Sequence, residues 1–239
     1  MQNSDAQGSE GRETEQRFSW RERIITRLAN TRPRHAPQDW LTPGLSLTET
    51  RALRRYLPVS PIPAAVLIPL VEREGELTVL LTQRASQLKN HAGQISFPGG
   101  RIEPEDPGPR EAALREAHEE IGLAPDFVTV VGFLCDHILL SGFRVTPVVA
   151  FVRPGFELLL EAREVADTFE VPLSHVFEPA NHRSQPRRFD GTTDEFASWD
   201  IQYQRHNIWG ATAGMLLNLY RLCVTDDIAT INEIAGARS

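Results

Sequence analysis

The sequence has few cysteines, no net positive charge and no long apolar run. Only two of its 239 residues are cysteine, Cys135 and Cys223, and they form no CxxC spacing. This excludes a disulfide-stapled scaffold and a zinc cluster of paired cysteines, and it fits a reducing compartment. The formal net charge is −7 at pH 7, so the chain lacks the basic surplus typical of a general duplex-DNA binder. We therefore expect no nucleic-acid partner.

Segments that could enter a membrane are also lacking. The longest apolar stretch, from Ala64 to Val71, is interrupted by Pro69. It is far shorter than the roughly 20 residues that a spanning helix needs. The first twenty residues are polar and contain no apolar core of a signal peptide. We expect a soluble, cytoplasmic protein with no membrane partner.

The apolar content is sufficient for one sizeable core, because 41% of the residues are hydrophobic and 24% are charged. The composition changes along the chain, so that segments typical of disorder, of helix and of strand can be told apart. These segments predict a disordered lead-in over residues 1–18, a helical N-terminal wrap over 19–60, the main domain over 61–223 and a tail over 224–239.

Within the main domain, two apolar, β-branched runs around a Glu- and Gly-containing turn predict a hairpin. A loop rich in His, Gly and Pro follows it. Pro109 can then open a helix and Gly122 can close it, since each residue suits that end of a helix. The order of strands, helix, strands and helix predicts an α+β fold with a mixed sheet. The predicted elements are strands at 64–71, 77–82, 127–134 and 144–152, a core segment at 171–175, and helices at 109–122 and 209–222.

The helix predicted from Pro109 carries carboxylates along one face. Glu116, Glu119 and Glu120 are three and four residues apart, so their side chains converge. They repel one another, and they lie near the C-terminal end of the helix, where the macrodipole already disfavours negative charge. A hard divalent cation, which prefers oxygen ligands, is the natural compensation. The apolar stripe on the other face consists of Ala113, Leu114, Ala117 and Ile121.

A solvated helix face laced with ion pairs is the alternative interpretation of these charges. Arg115, for example, is spaced to pair with both Glu111 and Glu119. The Gly99-Gly100 pair that precedes the helix favours a site, because glycine lets the backbone approach a ligand closely.

The segment REAHEEIGL, from Arg115 to Leu123, resembles the second half of the Nudix box, G-x5-E-x7-R-E-U-x-E-E-x-G-U, where U is aliphatic. The first half differs. After the five intervening residues that follow Gly100, the next position is Asp106 instead of Glu, and eight residues instead of seven separate it from Arg115. The chain is therefore similar to the Nudix family, with an altered loop before the helix.

Other segments resemble the coenzyme A pyrophosphatase branch of that family, whose Gly-Gly-x-x-Asp-x-x-Asp loop has the longer spacing to Arg. Here Glu103 replaces the first Asp and Asp106 supplies the second. Lys89 stands where the branch usually has Arg, which keeps the charge but loses the fork of donors. The resemblance covers about residues 60–220 and includes LLTQRA at 80–85, Gly93, FPGG at 97–100, SGFRVTP at 141–147, Glu164-Val165, VPL at 171–173 and IWGATA at 208–213.

The resemblance implies an α/β/α sandwich and the hydrolysis of a nucleoside diphosphate linked to another moiety, with Mg²⁺ or Mn²⁺. It implies that Glu116, Glu119 and Glu120 ligate the metal, with the carbonyl of Gly99 or Gly100 as a further ligand. Arg115 would hold a carboxylate in place. The general base is assigned to Glu119 or Glu120, ahead of Glu164, which stands where some relatives have a late-chain carboxylate.

Basic side chains just before the box suit an extra phosphate, such as the 3′-phosphate of coenzyme A. These are Arg84, Lys89 and His91. The predicted reaction converts coenzyme A or acyl-CoA to a 4′-phosphopantetheine species and adenosine 3′,5′-bisphosphate. The alternatives are a Nudix pyrophosphatase acting on ADP-ribose, NADH or NDP-sugars, and a non-hydrolytic nucleotide-binding regulator. Whether the chain forms a homodimer is left open.

Some conspicuous residues are assigned to structure. His118 lies at a variable position of the box and is expected on the surface. Trp209 stands in an apolar helical run and is expected in the core. The two cysteines are expected to be buried packing residues.

Overall fold

The computed structural model describes residues 20–33, 44–88, 91–188, 195–227, 230 and 234. The predicted lead-in, Lys89 and most of the predicted tail lie outside these residues. None of the described helices is long and apolar enough to cross a membrane.

A mixed eight-stranded sheet forms the centre of the fold. The predicted hairpin is present as two antiparallel strands, β1 and β2, around a turn in which Gly75 has a φ of 90°. β1 also pairs in parallel with β7, from Ile62 beside Phe143 to Val71 beside Val152. The strands are β1 (Ile62–Glu72), β2 (Leu77–Arg84), β3 (Ile95–Ser96), β4 (Gly99–Arg101), β5 (Val128–Phe133), β6 (His137–Ile138), β7 (Phe143–Val152) and β8 (Val165–Pro172).

The main path of this sheet runs β3-β2-β1-β7-β5. Three strands pair off that path: β4 with β1, β6 with β7, and β8 with β2. β4 therefore brings Gly100 beside Ala65 of β1, and β8 brings Val165, next to Glu164, beside Arg84 of β2.

In the described part of the chain five helices accompany the sheet, and one of them, α3, begins and ends as the sequence predicts. α3 starts with Pro109 and is closed by Gly122, which adopts the left-handed conformation with a φ of 70°. α2 begins after Ser46, which forms a capping box with Glu49. The helices are α1 (residues 20–28), α2 (Leu47–Leu53), α3 (Pro109–Ile121), α4 (Leu173–Val176) and α5 (Gly210–Val224), with 3₁₀ turns at Arg54–Tyr56, Pro125–Phe127 and Pro179–Asn181.

Successive side chains of β1 point to opposite faces of the sheet. Helices pack against its apolar residues on both faces. Ala65, Leu67 and Val71 pack in one hydrophobic cluster with the apolar stripe of α3. Ile68 and Leu70 belong to a second cluster, which contains apolar residues of α1 and α5. The structure is the α/β/α sandwich with a mixed sheet that the sequence predicts.

A second, three-stranded sheet is absent from the sequence-based prediction. It contains β9 (His182–Arg188), β10 (Glu195–Tyr203) and β11 (His206–Trp209), in the order β11-β10-β9. The predicted core segment at 171–175 is divided between the end of β8 and the start of α4.

The N-terminal wrap contacts the C-terminal part of the domain. Arg23 donates to the carbonyl of Cys223 at 3.0 Å, and Arg27 donates to the carbonyl of Thr225 at 2.8 Å. Trp199 donates its indole N–H to the carbonyl of Gly44 at 3.0 Å. These contacts attach α1 and the segment before α2 to α5 and β10.

Candidate active site

Two carboxylates of α3 lie against the backbone of β4. The Gly99 N–H donates to Oε2 of Glu120 at 3.1 Å. A Cβ at Gly100 would fall 2.5 Å from the carboxyl carbon of Glu116, so only glycine leaves room for that side chain. β4 is itself held by β1, with Gly100 beside Ala65. The Gly-Gly pair therefore serves the close approach that the sequence predicts.

Arg115 joins this pair of carboxylates to the loop that precedes α3. Its Nε and Nη2 donate to the two carboxylate oxygens of Asp106, at 3.0 Å and 2.9 Å. Its Nη1 donates to Glu116 at 3.0 Å and to Glu119 at 2.9 Å. These hydrogen bonds from Arg115 hold the pKa of Asp106 below its usual range.

One predicted pairing of Arg115 is wrong and one is confirmed. Glu119 is a partner, whereas Glu111 pairs with Arg110 at 3.1 Å. The reason is that the guanidinium of Arg115 extends towards Asp106, which satisfies its fork of donors better than a second helix neighbour would.

Glu120 is the most buried of the three predicted metal ligands, with 5% of its surface exposed. Burial raises its pKa to about 7, and the neighbouring charges of Glu116 and Glu164 act in the same direction. Burial also raises the pKa of Glu116. Both shifts mean that negative charge is poorly solvated here when no cation is present.

Glu164 reaches the same place from a loop at the end of α3. The N–H groups of Leu159 and Glu161 donate to the carbonyls of Ile121 and Glu120, at 3.0 Å and 2.9 Å. The carbonyl of Glu164 accepts from the Ala85 N–H at 2.8 Å. This loop, residues 153–164, therefore caps the C-terminal end of α3 and attaches Glu164 to the end of β2.

The predicted ligand set is only partly assembled. Glu116 and Glu120 lie along β4, but Glu119 is turned towards Arg115 and its side chain is 57% exposed. In the described part of the chain, no three His, Cys, Asp or Glu side chains stand close enough to hold a metal ion as they are. The chemistry of the donors nevertheless fits a hard divalent cation, because the charge of Glu116 adds to the raised pKa of the buried Glu120, and such cations prefer carboxylate oxygens.

The two described residues of the predicted phosphate-binding set lie at the connection between β2 and β3. Arg84 exchanges backbone hydrogen bonds with Gly93 and Gln94, and the carbonyl of His91 accepts from Gln94. Arg84 is the last residue of β2 and lies beside Val165 of β8. His91 is exposed, with its Nδ1 3.0 Å from Oε1 of Gln94. Lys89 lies outside the described residues.

The residues assigned to structure mostly behave as predicted. His118 is exposed on α3, and both cysteines are buried. Trp209 is only half-buried, and the guanidinium of Arg187 lies 4.9 Å from its ring centre. It stands at the start of α5, so its position in the core is only partial.

Gln87 is a residue at this site that the motifs do not single out. Its side-chain N–H donates to the carbonyl of Ala162 at 2.9 Å. The bond ties the loop after β2 to the loop that carries Glu164. It joins residues 75 positions apart, so no local spacing could have predicted it.

The part of the chain that forms the main sheet and the site is also the part that matches known proteins. The NUDIX domain family matches residues 61–199. A protein of Enterobacter sp. (strain 638), named "Uncharacterized Nudix hydrolase NudL", is 41% identical over 156 residues, which are 65% of this chain and 80% of that protein. The protein of the same name from Escherichia coli K12 is 38% identical over the same shares. Among solved structures, the Nudix hydrolase RenU of M. smegmatis is 26% identical, with a TM-score of 0.42, over 48% of this chain and 73% of that one.

Proposed function

The chain belongs to the Nudix family and is a pyrophosphohydrolase, and on that premise we propose that its substrate is coenzyme A or an acyl-CoA. Water would attack one phosphorus of the pyrophosphate and break its bond to the bridging oxygen. The products would be a 4′-phosphopantetheine species and adenosine 3′,5′-bisphosphate.

The observation that carries this proposal is the pair formed by Asp106 and Arg115. The coenzyme A branch is distinguished by an Asp in a longer loop, and here Asp106 receives two donors of Arg115 at 2.9 and 3.0 Å. The loop before α3 departs from the general Nudix pattern, but through these two hydrogen bonds it still forms part of the site.

Nudix hydrolases use divalent metal ions, and we assign the metal here as Mg²⁺ or Mn²⁺. Glu116, Glu119 and Glu120 would hold it, together with the carbonyl of Gly100. When bound, the cation would neutralise charge on the pyrophosphate oxygens and lower the pKa of the attacking water.

Glu120 is our candidate for the general base. Its Oε2 accepts the Gly99 N–H, so its Oε1 is the oxygen left to take a proton. In the metal-free protein, burial raises its pKa to about 7, and a bound cation would lower that pKa. Glu119 is turned towards Arg115, and Glu164 is the second candidate for the base.

A product assay with coenzyme A and excess Mg²⁺ or Mn²⁺ tests this function. We expect metal-dependent release of adenosine 3′,5′-bisphosphate, and we expect Glu120→Gln to lower kcat by about 10²-fold or more. Glu111→Gln, at a half-buried glutamate of the same helix that pairs with Arg110, is the matched control and should leave the rate unchanged. Glu164→Gln tests the second base candidate.

The remaining outcomes separate the alternatives. Hydrolysis of ADP-ribose, NADH or an NDP-sugar without turnover of coenzyme A would overturn the proposed substrate and leave the pyrophosphohydrolase intact. Tight nucleotide binding with no turnover of any of these compounds would favour a regulator.

A further inference from the structure

The segment that carries Glu164 contacts the rest of the protein at a few points. The N–H of Glu161 donates to the carbonyl of Glu120 at 2.9 Å, and the carbonyl of Glu164 accepts from the Ala85 N–H at 2.8 Å. The two residues between these contacts, 162 and 163, are exposed. Among the described residues, the side chain of Gln87 is the one group from another segment that hydrogen-bonds to them. The path of the backbone into Glu164 therefore depends on Gln87.

The turn after β2 presents Gln87 to this segment. The Leu88 N–H donates to the carbonyl of Ala85 at 3.3 Å, which closes a turn with Gln87 at its third position. The side-chain N–H of Gln87 then donates to the carbonyl of Ala162 at 2.9 Å. The same turn thus binds two carbonyls that are two residues apart, since the Ala85 N–H binds that of Glu164. A single hydrogen bond would leave the segment able to rotate about it, whereas two bonds fix its orientation.

The orientation of this segment decides where the Glu164 carboxylate points, because the backbone sets the direction in which a side chain leaves it. A rotation between residues 161 and 164 would move that carboxylate relative to those of α3, and small displacements of active-site groups slow catalysis. Gln87 itself is exposed, so its hydrogen bond competes with water and contributes little to the stability of the fold. The bond therefore matters for the placement of Glu164 more than for stability.

We propose that Gln87 is a positioning residue, whose hydrogen bond to Ala162 orients Glu164 towards the carboxylates of α3. The proposal rests on pyrophosphate hydrolysis at this site and on a part for Glu164 in it, but not on coenzyme A as the substrate. In this assignment Gln87 touches no reacting atom, and it affects the rate only through Glu164.

Substitution of Gln87 tests this role. Gln87→Met keeps the length of the side chain and its lack of charge but removes the donor. We expect it to lower kcat about three- to tenfold, the factor that the net strength of one hydrogen bond allows, with little change in KM. Gln87→Lys retains a donor and should recover most of the loss. Gln202→Met is the matched control, because Gln202 is also exposed and donates to a backbone carbonyl, that of Gln204, at 2.9 Å.

A double-mutant cycle separates positioning of Glu164 from a general structural effect. In the Glu164→Gln background, Gln87→Met should lower kcat no further, because the group through which it acts has been removed. An equal loss in both backgrounds would overturn the assignment, and so would wild-type kcat in either single variant. If the protein turns over ADP-ribose and not coenzyme A, the cycle is measured on ADP-ribose, where full coupling supports Gln87 while the coenzyme A proposal fails.

Amide hydrogen exchange supplies a readout that does not depend on turnover. In Gln87→Met, the N–H groups of Glu161, Glu164 and Val165 should exchange about threefold faster or more, because the segment that bonds them is less fixed. Gln202→Met should leave these rates unchanged. Wild-type exchange in Gln87→Met would contradict the proposal. Equal thermal unfolding midpoints for the two methionine variants would show that the loss of kcat does not come from misfolding.

Discussion

At the scale of single residues, Glu120 links protonation to folding. Its carboxyl is buried against β4, with Glu116 and Glu164 as acidic neighbours and one backbone N–H as donor. In the metal-free protein, its pKa of about 7 exceeds the value of 4.5 that is ordinary for the group. The folded protein therefore binds this proton more tightly than the unfolded chain does.

We expect the contribution of Glu120 to the stability of the metal-free protein to fall as the pH rises from 5 to 8. An acid whose pKa is raised by folding stabilises the fold fully below its ordinary pKa, and this contribution is lost as the pH rises through the folded value, here between 4.5 and about 7. A shift of this size corresponds to a free energy of unfolding on the order of 3 kcal/mol. Urea unfolding in EDTA at several pH values measures it.

The difference in stability between Glu120→Gln and the wild type should therefore change with pH, whereas Glu111→Gln should reproduce the pH profile of the wild type. Mg²⁺ should stabilise the wild type more at pH 8 than at pH 5, because deprotonated carboxylates bind the cation. Parallel profiles for the wild type and Glu120→Gln would contradict the expectation.

At this scale, spacing in the sequence predicts contacts between residues that are close along the chain, and it does not predict contacts between distant segments. Helical spacing correctly predicts that Glu116 and Glu120 share a face, since four residues make about one turn. It does not say whether Glu119 joins them or pairs with Arg115, because that depends on where Asp106 stands after the loop folds. The approach of Glu164 comes from β2 and β8 pairing, which no local spacing contains.

At the scale of elements, the end of α3 and the loop of residues 153–164 form one joint. Gly122 has a left-handed φ of 70°, and a Cβ there would fall 2.7 Å from the backbone nitrogen of Leu159. Any side chain at this position meets both backbone strain and a collision with the loop that carries Glu164.

Gly122→Ala should therefore lower both stability and activity. We expect a loss of about 1 kcal/mol from the left-handed conformation, and more from the collision with Leu159. Displacement of Glu164 should also lower kcat about tenfold, because small displacements of active-site groups slow catalysis. Thermal unfolding and steady-state kinetics measure the two effects.

Gly75→Ala is the matched control for this change. Gly75 also has a positive φ, of 90°, but a Cβ there would have no heavy atom within 4 Å. It should show the conformational loss alone, with an unchanged kcat. Equal effects of the two substitutions would mean that Gly122 does not position the loop.

The small sheet shows why some elements escape prediction. β9, with the sequence HRSQPRR, contains no apolar alternation, and five of its seven residues are exposed. A proline within it is tolerated because β9 pairs on one side only, with β10. The pairing that makes it a strand is supplied entirely by β10. The hairpin of β1 and β2, by contrast, is predictable because burial on both faces makes its strands continuously apolar.

At the scale of the whole molecule, helices on both faces of the sheet leave its cysteines without access to solvent. Cys135 is 2% exposed and Cys223 is not exposed at all. Burial raises the pKa of the Cys223 thiol to about 12, so it carries almost no thiolate at neutral pH.

We expect the folded protein to resist thiol reagents. Ellman's reagent should release almost no chromophore from native protein at pH 8, and two equivalents after denaturation, since the chain has two cysteines. The rate of reaction should track the rate of unfolding, because the thiolate is exposed only when the sandwich opens. Rapid release from native protein would contradict this burial.

The bond between Asp106 and Arg115 also has an evolutionary consequence. Relative to the general Nudix box, this chain has an acid that is one methylene shorter and a segment to Arg115 that is one residue longer. Both carboxylate oxygens of Asp106 reach Arg115, so the longer backbone segment and the shorter side chain are compatible with this contact. We expect either change alone to move the carboxylate away from Arg115, and we therefore expect the shorter acid and the longer segment to occur together in related sequences.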